Sequence, residues 1–434
     1  MPTPKGLRCA ADTAEVRPFW RRAAAYYGGL GLGIYLALVL AVFAFLRTIG
    51  YPVSILHVGL PPLWHKVGQA RGWFFLHKSN QAFAQDRIPE GLLYLRNAYD
   101  LDPSNYVAGI ALAKHLQAGQ PARSDEVYQR LLRDHPQRRA GTAQEWFRAL
   151  LARGSFDRIA RLARGELLAS SPGAAVWMRA LLYSTRRLPS DTLLRELATS
   201  PAPALQSWRP VFATELLLRE GRLREARDAI TGPLPADQAA FHVYYRVSLL
   251  TEMGDTFAAL DLLARHAALL DAEANVTLRL DALAAGRMKR PHQQVVDQLL
   301  AQPLSTGGLP GLKVLCAHLI RFPDPAVFDR LAEKVARENL PLDTESAGVW
   351  FSLFCAAGAV DDRTRLHELG FRLRNASQKP FMILSAVEAF FRGELAERRI
   401  TTFLPVLPLP LEVTYALFER YPLPDAPAVW PKRP

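Results

Sequence analysis

Phe74–Asn105 reads FFLHKSNQAFAQDRIPEGLLYLRNAYDLDPSN, and this stretch decides the fold. It predicts two short amphipathic helices around a tight turn. Gly91, Leu92, Leu95, Ala98 and Tyr99 recur at helical spacing, the stripe of a helix that packs along one side. Pro89 stands where a helix accepts proline, at its first position, and Asp102-Pro103 stops the helix. A single hairpin of this length leaves one apolar side bare, so its stability must come from similar neighbours.

Spacing tests whether the unit repeats. Gly119, Gly154, Gly221, Gly254 and Gly358 each follow a helical apolar pattern, with gaps of 35, 67, 33 and 104 residues. Those gaps are close to one, two, one and three periods of about 34 residues. Corners without a corner glycine are expected near residues 187, 288 and 322, where turn-forming sequences precede plausible helix starts. Gly221–Ala226 is the best single copy, and Ala226, like Ala98, is expected where two helices approach closely. Thr142–Glu145 reads as a capping box and Asp324-Pro325 as a capping acid before a first-position proline. Between 285 and 345 prolines crowd, which predicts irregular repeats there.

In its second helix the unit resembles the tetratricopeptide repeat, with Gly91, Leu95, Ala98 and Pro103 at the small, large apolar, alanine and terminating proline positions. The first helix departs from that pattern at Lys78, which stands in a usually apolar place. The resemblance implies an all-α fold, an α-solenoid of helical hairpins. It also implies that the first helix of each unit lines a concave groove holding a protein or peptide partner. Counting back from the corners places Lys114, Gln144, Arg148, Trp208, Glu215, Arg219, Tyr244, Ser248 and Glu252 on that face, with Leu150, Leu217 and Leu250 in the core behind it.

Ahead of the repeats, Ala23–Leu46 is free of charge for 24 residues. That is about 36 Å of helix against a hydrocarbon core of about 30 Å, enough to cross a membrane. The run is longer than the hydrophobic region of a cleaved signal and ends in Arg47, so it reads as an uncleaved anchor. Lys5, Arg8, Arg17, Arg21 and Arg22 precede it, whereas only Arg47 and Lys66 follow within twenty residues. The positive-inside rule then puts the N-terminus in the cytoplasm and the repeats on the periplasmic or extracytoplasmic side of the inner membrane. Gly29 and Gly33 form a small-xxx-small face suited to a homodimer through this helix, although glycine is common in such helices. Ile49–Trp64 lacks Lys, Arg, Asp and Glu; its prolines and short length favour an interfacial linker with Tyr51 and Trp64 near the headgroups. A second span there would return the repeats to the cytoplasm.

These readings divide the chain into a basic cytoplasmic head (1–22), a transmembrane helix (23–47), an interfacial linker (48–71), a repeat array (72–402) and a C-terminal cap with a proline-rich tail (403–434). A polyproline recognition segment is the other reading of the tail.

Catalytic signatures are missing. The sequence has no GxxxxGK[ST], HExxH or GxSxG motif, and its GxG spacings fall inside the apolar run. Cys9, Cys316 and Cys355 are far apart, which argues against a disulfide framework or a zinc site. No catalytic residue, metal or cofactor is therefore expected. The net charge of +12 would suit acidic proteins, anionic polysaccharide or lipid headgroups, and the topology disfavours nucleic acid. Two functions stand open: a membrane-anchored scaffold for a cell-envelope complex, or a carbohydrate-associated module of a polysaccharide export or secretion system.

Overall fold

A computed structural model describes residues 13–169, 173–304, 308–376, 383–395 and 399–424, with side chains from Arg21 onward. The described residues are helices and turns, without a strand among them. They divide into two compact units, Met1–Thr142 and Ala143–Pro434. The N-terminal tip with Cys9 and the proline-rich end from residue 425 lie outside the described residues.

The first unit begins with α1 (Thr13–Ile49), of which Arg21–Ile49 is long and apolar enough to cross a membrane, with Val39 its one buried residue. A short α2 (Ile55–Gly59) follows, then α3 (His65–Ala84), α4 (Ile88–Leu101), α5 (Tyr106–Gly119) and α6 (Pro121–Asp134). A five-residue α2 flanked by turns is too short for a second span. The expected hairpin is α3 with α4, and Leu95, Ala98, Tyr99, Ala108, Leu112 and Leu131 form the core it shares with α5 and α6. Helix α3 starts at His65, so the expected linker gives up its last residues to the first hairpin.

Helix α7 (Arg139–Ala152) runs across the boundary between the units. Thr142 lies inside it and donates back to the Arg138 carbonyl at 3.0 Å, so the expected capping box is absent. The second unit continues with α8 (Phe156–Leu168), α9 (Ala174–Thr185), α10 (Thr192–Thr199), α11 (Arg209–Arg219), α12 (Leu223–Thr231), α13 (Ala239–Glu252), α14 (Thr256–Arg265) and α15 (Ala272–Ala285). Then come α16 (Lys289–Ala301), α17 (Gly308–Arg321), α18 (Pro325–Arg337), α19 (Ala347–Ala359), α20 (Arg363–Ala376), α21 (Ile383–Phe391) and α22 (Leu411–Arg420).

Gly154, Gly221 and Gly254 sit at helix–helix corners with φ of +67°, +73° and +79°, a conformation that costs other residues a clash with their own Cβ. Gly358 does not. It lies within α19, where a Cβ would come within 2.3 Å of the Phe391 ring, and the corner falls at Asp361 instead. The prolines between 285 and 345 leave the helices intact: Pro291, Pro310 and Pro325 occupy first turns, Pro325 after an Asp324 cap, and the others lie between helices. Packing continues through this region in two rows. Helices α13, α15, α17 and α19 each touch the next, as α16 touches α18 on the other side.

The end of the chain departs from expectation. Helix α22 does not serve simply as an end cap, because it packs along α17 in the middle of the row. Its Tyr415 meets Tyr183 of α9 edge-on at 4.3 Å between centroids, and its Phe418 meets Phe156 of α8 at 5.5 Å. Six consecutive residues, Val413–Phe418, are buried. A helix covered on every side in this way is an interior element.

Candidate functional site

Helical spacing explains how the second unit assembles its most polar interior. Arg179 and Tyr183 stand four residues apart on α9, as do successive members of Tyr244, Ser248 and Glu252 on α13 and Tyr415 and Glu419 on α22. With Arg186, Asp281 of α15 and Arg321 of α17 they line a chamber of about 120 Å³ closed on one side by α22.

Two ion-pair clusters frame the chamber. Arg186 grips Glu215 with two bonds, Nη2 to Oε1 at 2.6 Å and Nε to Oε2 at 2.9 Å, and reaches Glu252 at 3.3 Å. The Tyr245 hydroxyl donates to the same Glu215 at 2.8 Å. Burial and the Glu215 carboxylate push that phenol far up, so it stays a donor. Burial works against the Arg186 charge, but Glu215 and Glu252 overcome it and raise its pKa. On the other side Arg321 pairs with Asp281 and with Glu419 of α22, the latter at 3.3 Å. Asp281 also accepts from His318 Nδ1 at 2.9 Å. The His318 Nε2 is left to face His292 Nε2 at 2.9 Å, and burial together with His318 lowers the His292 pKa.

Arg179 stands between these clusters with its guanidinium over Tyr244 at 4.8 Å and Tyr415 at 5.0 Å. Burial opposes its charge, while Tyr244, Tyr415 and Glu412 sustain it and leave the pKa raised. Each charge in the chamber thus has an opposite charge or an aromatic face as its partner, the condition for burying charge at tolerable cost. The two cysteines among the described residues offer no reactive thiol: Cys316 and Cys355 are buried, and burial pushes Cys355 up to about 12. Among the described residues no group of three or more His, Cys, Asp and Glu side chains could hold a metal ion.

The nine groove residues take different surroundings, each described within its own unit. Lys114 is exposed on α5 of the first unit, and Gln144 and Arg148 are exposed on α7, where Arg148 lies 3.8 Å from Glu145. Trp208 is a core residue, 2% exposed and edge-on to Phe241, so it does not face an open groove. Glu215 is buried in the ion-pair cluster, and Arg219 donates to the backbone carbonyls of Thr185 and Leu188. Tyr244, Ser248 and Glu252 line the chamber beneath α22. Leu150 and Leu250 are core as expected, and Leu217 is half-buried. Residue counting missed Arg179, Tyr183, Arg186, Asp281, Arg321, Tyr415 and Glu419. For Arg179, Tyr183, Tyr415 and Glu419 the signal was the four-residue spacing of Arg and Tyr on α9 and of Tyr and Glu on α22; Arg186, Asp281 and Arg321 carried none.

Neither a protein-family model nor a curated protein matches the chain.

Proposed function

We propose that the chain is a single-pass, membrane-anchored scaffold of tetratricopeptide-like α-solenoid architecture that holds a protein partner in a cell-envelope complex. The observation that carries this reading is α1, an apolar helix left mostly uncovered and followed, after a short return segment, by packed helical hairpins. The excess of Lys and Arg before the helix supports an N-terminus in the cytoplasm and the hairpins outside it. Gly29 and Gly33 face open space, which suits a homodimer through α1.

The filled interior of the second unit narrows where a partner would dock. With α22 lying on α17, the proposed contact faces are the exposed ones, Lys114 on α5 and Gln144 with Arg148 on α7. A photo-crosslinking residue at Lys114 or Arg148, in cells, should capture one membrane-fraction protein at fixed stoichiometry. The same residue at Phe257, which is exposed on α14, should not. Equal labelling at all three positions, or recovery of the chain in the soluble fraction, would overturn the proposal.

A further inference from the structure

The segment after α1 turns back along it instead of leading away. At Gly50, with φ of +98°, the chain reverses, and the Tyr51 amide donates to the Leu46 carbonyl at 3.0 Å. Gly59, at the end of α2, then lies against α1: the Tyr35 hydroxyl donates to its carbonyl, and a Cβ placed on it would stand 3.3 Å from Val39 Cγ1. Along α1, Val39 is buried and Phe43 and Leu46 are half-buried, while the other residues from Ala24 to Ile49 are exposed. With Tyr35 they follow each other at helical spacing, so one stripe of α1 is covered. Val39 lies ten residues before Ile49, about 15 Å back along the axis at 1.5 Å per residue.

That position matters because of where the bilayer must sit. If the hydrocarbon begins at Ala23, next to the charged Arg22, a core of about 30 Å extends through roughly 20 residues, to about Val42. Val39 and Tyr35 fall inside it, and Gly59 touches both. Between Arg47 and Lys66 no Lys, Arg, Asp or Glu occurs. The outward side chains are apolar: Ile55, Leu60, Leu56 at 58% exposure and Trp64 at 57%. Backbone polar groups are tied inward, the Val58 carbonyl accepting from Trp64 Nε1 at 2.9 Å and the Leu60 amide donating to Leu56 at 3.1 Å. Irregular backbone at membrane depth requires that satisfaction.

We propose that Tyr51–Trp64 is a re-entrant turn embedded in the lipid beside α1, with Leu56 and Leu60 in the acyl region and Trp64 at the headgroups. The segment docks on the bilayer itself, and it seats α3 at the membrane surface. This rests on α1 being a membrane anchor, and the test separates the two claims.

Full-length chain carrying Cys9→Ser and a single new cysteine would be labelled with bimane and reconstituted into phosphatidylcholine–phosphatidylglycerol vesicles containing lipid with a nitroxide high on the acyl chain. Cys316 and Cys355 are buried and should not label. The positions are Leu36→Cys in α1, Leu56→Cys and Leu60→Cys in the turn, and Leu93→Cys, exposed on α4, as a water-side control. Quenching at 56 and 60 should exceed that at 93 several-fold and approach that at 36, with helix content unchanged by circular dichroism. Quenching at 36 with 56 and 60 no different from 93 would overturn the re-entrant turn and leave the anchor standing. Loss of quenching at 36 would overturn the anchor and the proposal with it.

Discussion

Arg186 holds two carboxylates at once, and its neighbourhood shows how strongly single side chains are constrained in the second unit. Replacing it by methionine leaves Glu215, 2% exposed, without its cation. The expected loss is about 3 to 5 kcal/mol, read from the denaturant midpoint of the detergent-solubilised chain, and Arg186→Met with Glu215→Leu should recover most of it. Trp208 belongs to the same scale. Because it is buried against Phe241, Trp208→Ala should cost about 3 to 5 kcal/mol of stability; a variant that melts like the parent would contradict its place in the core. Buried and half-buried histidines add a pH dependence. Burial lowers the pKa of His242, with Arg246 beside it, and of His292, so near their unfolded value of about 6.5 the unfolded chain binds protons that the folded chain does not. Stability should therefore be complete above that value and decline as pH falls from it toward the lower folded values. Urea midpoints taken across that range should show the decline, and His242→Phe should lessen it, leaving the share of His292.

Helix α19 explains why the row of inner helices is closed. Its residues Val349–Ala359 are all buried, and the sequence AGVWFSLFCAAGA has no polar stripe to face water. Helix α17 is almost as apolar, and α22 supplies the cover by packing along it. Phe418→Ala should remove about 3 to 5 kcal/mol, since the ring is 1% exposed and contacts Phe156. Dye binding to newly exposed apolar surface would accompany the loss if α22 loosens from its seat. Helix α12 offers an independent check of helix contact. Ala226 is fully buried on it, and Ala226→Arg should destabilise the chain by about 2 to 4 kcal/mol through added volume and an unpaired charge. Unchanged thermal melting would contradict that contact.

For the whole molecule the proposed anchor raises the question of the side of the membrane on which the hairpins lie. Reporter fusions after Gly72 and after Pro434 should both register an exported location, as the charge asymmetry around α1 requires; activity of a cytoplasmic reporter at either point would reverse the proposed topology. Much of this architecture was legible locally. The helix pattern, the stop at Asp102-Pro103, the corners at Gly154, Gly221 and Gly254 and the apolar run of α1 depend on neighbours within a few turns, and local propensity and periodicity encode such neighbours directly. Gly358 misled because glycine serves two needs: a left-handed corner, which spacing anticipates, and a close approach by Phe391, which it does not. The candidate site was less legible. Tyr244, Ser248 and Glu252 share one face of α13 by spacing alone, but whether that face meets solvent depends on a helix that begins at Leu411. Periodicity identifies which side chains share a face and says nothing about what covers it. Burial of Trp208, the pairing of Arg321 with Glu419 and the return of Gly59 to Val39 were therefore decided only by tertiary structure, where residues distant in sequence meet and the cost of leaving apolar surface or charge uncovered is settled.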